Sequence, residues 1–114
     1  MRWATGQLAA WPELRLLHHI PNGGHRGKRE AGQLKRMGVK PGVPDLCLPV
    51  ARGGHHGLYV ELKRRDGSRV SSEQRAWLAA LHAGGYCALV AEGHEQAIAA
   101  IRDYLTSDPE ELAA

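Results

Sequence analysis

The sequence predicts an α/β fold in which a mixed central sheet is flanked by helices. Three observations carry that expectation. Leu58, Val60 and Leu62 alternate with Tyr59, Glu61 and Lys63, the period of a strand with one buried face. Tyr86 to Ala91 is a short, nearly continuous apolar run, the pattern of a strand buried on both faces. Between and after these strands, Trp77, Leu78 and Leu81, and then Ala97, Ile98, Ile101 and Leu105, recur at helical spacing. Along the chain the order reads helix, strand, helix, hairpin, helix, strand, helix. The 114 residues make room for one domain with a small core.

Each element has a local reason. Residues 3 to 11 read as a short helix that Gly6 weakens and Pro12 stops, so 1 to 12 form a poorly defined first helix. Arg15 to Ile20 reads as a strand running into the turn Pro21-Asn22-Gly23-Gly24. From His25 to Met37 a stripe of Ala31, Leu34 and Met37 predicts a helix, with Lys35 and Arg36 in its last turn and Gly38 as its cap. Asp45 to Leu48 and Leu58 to Lys63 form the arms of a hairpin. The connection Val50 to Gly57, with three glycines and adjacent histidines, reads as exposed and flexible. Ser71-Ser-Glu-Gln74 matches a capping box at a helix start. Residues 106 to 114 form an acidic tail that is expected to fray.

Charge is divided unevenly. Before residue 92 there are 14 Lys and Arg against 6 Asp and Glu, whereas from Glu92 onward Arg102 stands against 6 acids. The front of the molecule is thus the basic part, and it concentrates polyanions. Residues 26 to 40 hold Arg26, Lys28, Arg29, Lys35, Arg36 and Lys40 against Glu30 alone, immediately before the Asp45 strand. That helix is the leading phosphate-contact element, with Asn22 in the preceding loop. No apolar run is long enough for a membrane span, no secretory leader precedes the domain, and the two cysteines read as buried small hydrophobes, so a cytoplasmic protein without a membrane partner is expected.

The chemistry concentrates between Gly42 and Gln74. If the hairpin arms pair antiparallel, Asp45 and Glu61 meet on one face beside Lys63. Two close carboxylates repel each other, and their pairing next to an ammonium points to a divalent cation and a polarised water. Gln74 lies at i−3, i−4 and i−7 from Trp77, Leu78 and Leu81, so its amide faces inward. It either closes the capping box or points into the cleft below Glu61 and Lys63.

Pro44-Asp45, a gap of fifteen residues, then Glu61-Leu62-Lys63 resembles the PD-(D/E)xK nuclease signature. With His19 to Gly24, Gly38 to Asp45, Leu58 to Lys63, Ser71 to Gln74 and Gly85-Tyr86, the chain resembles the VRR-NUC branch of that superfamily, in its stand-alone bacterial or phage form, over residues 16 to 105. The resemblance implies a restriction-endonuclease-like core with an inserted basic helix, Asp45, Glu61 and the Leu62 carbonyl as ligands of Mg²⁺ or Mn²⁺, Lys63 acting on the attacking water, and Gln74 turned into the cleft. It implies cleavage of branched DNA such as four-way junctions by a homodimer, with no organic cofactor, in a bacterial or phage-infected cell.

One departure stands out. Relatives supply a further acid from the first helix, whereas here the only acid before Glu30 is Glu13, placed directly after Pro12. That leaves one metal or two open; a chain that starts partway through its first helix accounts for the gap. A DNA-binding module without chemistry is the rival reading. Zinc is disfavoured: His18-His19 and His55-His56 are adjacent rather than four apart, and neither Cys47 nor Cys87 has a C-x-x-C partner.

Overall fold

The computed structural model describes residues 2–21 and 28–107, with side chains in the second stretch described from residue 32. Helix α1 (Arg2–Gly6) and a 3₁₀ turn (Pro12–Leu16) lead to β1 (His18–His19), α2 (Lys28–Arg36), β2 (Leu46–Leu48), β3 (Leu58–Lys63), α3 (Ser72–Ala83), β4 (Cys87–Glu92) and α4 (Gly93–Leu105). The strands form one mixed sheet in the order β1-β2-β3-β4, antiparallel across the first three and parallel between β3 and β4. A parallel neighbour cannot be reached by a tight turn, and α3 supplies the crossover.

The alternation in β3 sorts the two faces of the sheet. Leu58 and Val60 are buried to 0 % and 1 % exposure and join Leu46, Leu48 and Ala91 against Ala97, Ile101, Tyr104 and Leu105 of α4, which is the core. Ala4 and the half-buried Trp3 extend it, with the Arg102 guanidinium 5.7 Å from the Trp3 ring centre. The opposite face carries Tyr59, Glu61 and Lys63.

Several local expectations are corrected. The first helix ends at Gly6 instead of continuing to residue 11, as the low helix propensity of glycine favours. The strand expected over Arg15 to Ile20 shrinks to His18–His19, because Pro12 at the start of a helical turn already has the required φ and the turn buries Leu14 to 2 % exposure. The apolar run at β4 is not buried on both faces: β4 is an edge strand, and Val90 is 36 % exposed. Cys87 is only half-buried, whereas Cys47 is buried, and both thiols are free. Met37, read as part of an apolar stripe on α2, is 78 % exposed. In α3 no residue is fully buried, since Trp77, Leu78 and Leu81 are each half-buried.

The connection from Val50 to Gly57 is pinned. Arg52 and His55 exchange backbone hydrogen bonds, the Arg52 guanidinium donates to Glu13 at 2.6 Å, and the Tyr104 hydroxyl donates to the Val50 carbonyl. Glu13 is thereby engaged away from β3, in a pair whose members are only 18 % and 29 % exposed.

The loop before β2 docks on α3. Gly42 has φ +88°, and a Cβ there would lie 2.6 Å from the backbone carbonyl carbon of Glu73. Gly38 has φ +92° with open space around it. Gly38→Ala is expected to bear the left-handed conformation alone, about 1–2 kcal/mol, which lowers the melting temperature by about 5–15 °C. Gly42→Ala must also displace α3 and should melt lower than Gly38→Ala in the same thermal denaturation. Equal losses would show that the contact with Glu73 is immaterial.

Candidate active site

The pairing Leu46↔Val60 between β2 and β3, continued by one residue, sets Asp45 opposite Glu61 on the face away from the core. Continued by two, it sets Pro44 opposite Leu62. Proline has no N–H to offer the Leu62 carbonyl, so the ladder cannot close there in the ordinary way. The Leu62 N–H donates to Asp45 Oδ2 at 2.7 Å. The Asp45 side chain is therefore fixed by the strand it faces, and the Ile20 N–H fixes its backbone by donating to the Asp45 carbonyl at 2.7 Å.

Glu61 is 2 % exposed, although carboxylates are rarely buried without a cationic or metal partner. Its Oε1 accepts from Gln74 Nε2 at 2.8 Å and lies 3.8 Å from Lys63 Nζ. Its Oε2 is buried and has no hydrogen-bond partner. Burial, then the Asp45 charge, push the Glu61 carboxyl up to about 7, with Lys63 offsetting part of the shift. Lys63 Nζ in turn donates to Gln74 Oε1 at 2.7 Å.

Gln74 carries out both roles that its spacing allows. Its Oε1 accepts from the Ser71 N–H at 2.8 Å while its own N–H donates to Ser71 Oγ at 3.1 Å, which closes the capping box. The same amide bridges Glu61 and Lys63. The structure thus brings Asp45, Glu61, Leu62, Lys63 and Gln74 together.

The residues expected to contact nucleic acid are less tightly placed. Asn22 and Arg26 lie outside the described residues. Lys28 and Arg29 open α2, but their side chains also lie outside the description, while Arg36 and Lys40 are exposed. A second group of exposed basic residues, not anticipated from the sequence, follows the site residues in the chain. Arg64, Arg65 and Arg69 lie in the exposed segment that follows β3, and Arg75 lies on the first turns of α3. Arg65 pairs with Glu95 at 3.0 Å on the surface. The run Lys63-Arg64-Arg65 was the signal for it.

Two hard oxygen donors, an unpartnered carboxylate oxygen among them, fit a small divalent cation better than a soft metal. Among the described residues no three His, Cys, Asp or Glu side chains converge on one point. Any cation here would therefore rest on Asp45 and Glu61, with backbone and solvent oxygens completing its shell.

A mixed sheet whose central hairpin sets an acid pair and a lysine against the first turn of a crossover helix has the architecture of a PD-(D/E)xK nuclease core. The VRR-NUC domain model matches residues 6–95. A solved structure, a VRR_NUC domain protein, is 32 % identical and superposes with a TM-score of 0.72, covering 94 % of this chain and 88 % of that one. The chain belongs to the VRR-NUC family and carries its nuclease-type domain. No curated protein matches it.

The raised Glu61 carboxyl sets a pH dependence. Between its unfolded value near 4.5 and its folded value of about 7, the folded protein binds more protons than the unfolded chain, so stability falls as pH rises through that window. At roughly 1.4 kcal/mol per unit, the loss is on the order of 3 kcal/mol. Glu61→Gln keeps the carbonyl acceptor without the charge. In thermal unfolding with a chelator present, Glu61→Gln is expected to melt above wild type near pH 8 and to match it near pH 4. Parallel curves for the two proteins would contradict the assignment.

Proposed function

We propose that the chain, as one nuclease domain over residues 1–114, is a Mg²⁺- or Mn²⁺-dependent endonuclease that hydrolyses DNA phosphodiester bonds. The substrate is branched DNA such as four-way junctions, and a twofold homodimer acts on it. The observation that carries this reading is the buried Glu61 carboxylate, held beside Asp45 and 3.8 Å from the Lys63 ammonium with one oxygen lacking any hydrogen-bond partner. An arrangement that strains the folded chain is retained where function requires it.

Asp45, Glu61 and the Leu62 carbonyl would hold the cation. When bound, it supplies Lewis acidity at the phosphate and lowers the pKa of a water. The remaining work belongs to the chain. Lys63 orients that water and stabilises the charge that develops on the phosphoryl oxygens, more strongly at 13 % exposure than it would in bulk solvent. Gln74 holds Lys63 and Glu61 in place. With Glu13 tied to Arg52, a single cation is the reading that the described acids support. Arg26, Lys28, Arg29, Arg36 and Lys40 neutralise phosphates, with Asn22 donating a hydrogen bond, and Arg64, Arg69 and Arg75 add to that charge. Two symmetric cuts in a junction require two sites, which a twofold dimer supplies.

Lys63→Ala is expected to lower the rate of Mn²⁺-dependent cleavage by about 10²- to 10⁴-fold while DNA binding persists. Cleavage at the wild-type rate would remove Lys63 from the mechanism. Mn²⁺ at ten times its Kd should stabilise the protein by about 1.4 kcal/mol, or roughly 5–10 °C in melting temperature, and Asp45→Ala should abolish that shift. Replacing Arg64, Arg69 and Arg75 by Gln should flatten the plot of log K against log salt by about 0.9 for each phosphate that is no longer neutralised. An unchanged slope would clear the cluster of that role.

A further inference from the structure

The face of the sheet that carries the acid pair continues away from it as a band of rings. The register Cys47↔Tyr59↔Ala88 sets Tyr59 one repeat of β3, about 7 Å, from Glu61 on the same face. One repeat further, just before β4, stands Tyr86. The Tyr59 and Tyr86 rings meet edge to face, 5.5 Å apart, and the exposed His56 ring lies edge to face with Tyr86 at 5.8 Å. Neither tyrosine belongs to the buried core cluster, which lies on the other side of the sheet, and both remain partly open to solvent. Tyr86 is held between Gly57 and Gly84, where a Cβ would come within 3.4 Å and 3.7 Å of its ring. Tyr59 is held by Tyr86 on one side, and Cys47 stands opposite it across the β2–β3 ladder.

We infer that Tyr59, braced by Tyr86, is a stacking platform for an unpaired base of the substrate strand, about one nucleotide from the phosphate to be cut. The inference rests on the nuclease reading and deepens it: the site takes DNA whose strand is locally unpaired, as at a flap or beside a junction. Its physical basis is the combination used by single-strand binders, a basic margin that follows the backbone and a fixed ring that accepts any base. The margin is supplied by Arg64, next to Lys63 in the chain, and Arg75, next to the Gln74 that Lys63 bonds. The ring is fixed before binding, so little side-chain entropy is lost on contact. A paired base lies within its own stack and cannot reach the ring without flipping.

The test measures binding of the full chain, with a chelator present, to a single-stranded oligonucleotide, a flapped duplex and a fully paired duplex. Tyr59→Leu is expected to weaken binding to the first two by about 5- to 150-fold and to leave the third unchanged, whereas Tyr59→Phe should bind all three like wild type. In wild type, ultraviolet crosslinking of 5-iodouracil in the unpaired strand should map to Tyr59. This readout stands even if Tyr59→Leu fails to fold. An equal loss on all three DNAs, a Tyr59→Phe variant that behaves like Tyr59→Leu, or crosslinks that avoid Tyr59 would each overturn the inference while leaving the nuclease reading intact. Wild type that binds none of the three would overturn the nuclease reading itself.

Discussion

The structure depends most on one side-chain amide. Gln74 accepts hydrogen bonds from the backbone of Ser71 and from Lys63, and it donates to Glu61. The first contact belongs to helix capping, typically worth about 1 kcal/mol. The other two join α3 to a charged pair on β3 that could not stay buried unsupported. Crossover and site are therefore one object: the turn that starts the helix also sets the distance between ammonium and carboxylate. A shift of α3 by a fraction of an ångström would be felt at Glu61 before it was felt in the core.

The fold tolerates this because the two faces of β3 do different work. Leu58, Val60 and Leu62 anchor the strand from below, and Leu58 and Val60 are almost wholly excluded from solvent. Burying one such side chain is worth about 1.5–3 kcal/mol. Two or three of them exceed the repulsion between Asp45 and Glu61, part of which a proton on Glu61 relieves. The Leu62 N–H provides further compensation, because it donates directly to the Asp45 carboxylate. Proline and aspartate are useful side by side here: the first withholds a donor from the Leu62 carbonyl, and the second accepts from the Leu62 N–H.

The α/β class and the strand carrying the site were legible because their signals are local. An alternation of six residues in Leu58–Lys63 states which side chains share a face, and a capping box states where α3 starts. The N-terminal region was read poorly, since the ring of Pro12 favours a helical turn as readily as it stops a helix. The edge position of β4 was also hidden: Ala88 and Ala91 are buried, yet small side chains leave Val90 accessible, and an apolar run cannot reveal how many neighbours a strand has. The Arg52 to Glu13 pair joins residues 39 apart in sequence, a separation at which pattern offers no guide. Gln74 was legible in position but not in function, because its two readings share one spacing and the amide is large enough to satisfy both.

The edge position of β4 has a consequence for aggregation. Cys87 donates to Gly57 toward the interior, so Ala88, Val90 and Glu92, which alternate with it, present their backbone groups outward. Two of these groups are already occupied: the His82 ring donates to the Ala88 carbonyl at 2.7 Å, and the Glu92 N–H donates to Gln96 Oε1 at 2.8 Å. The Ala88 N–H and the Val90 pair remain, too short a stretch to template an incoming strand. The neighbouring helices thus plug this outer strand at both ends, which leaves little backbone on that edge for an incoming strand.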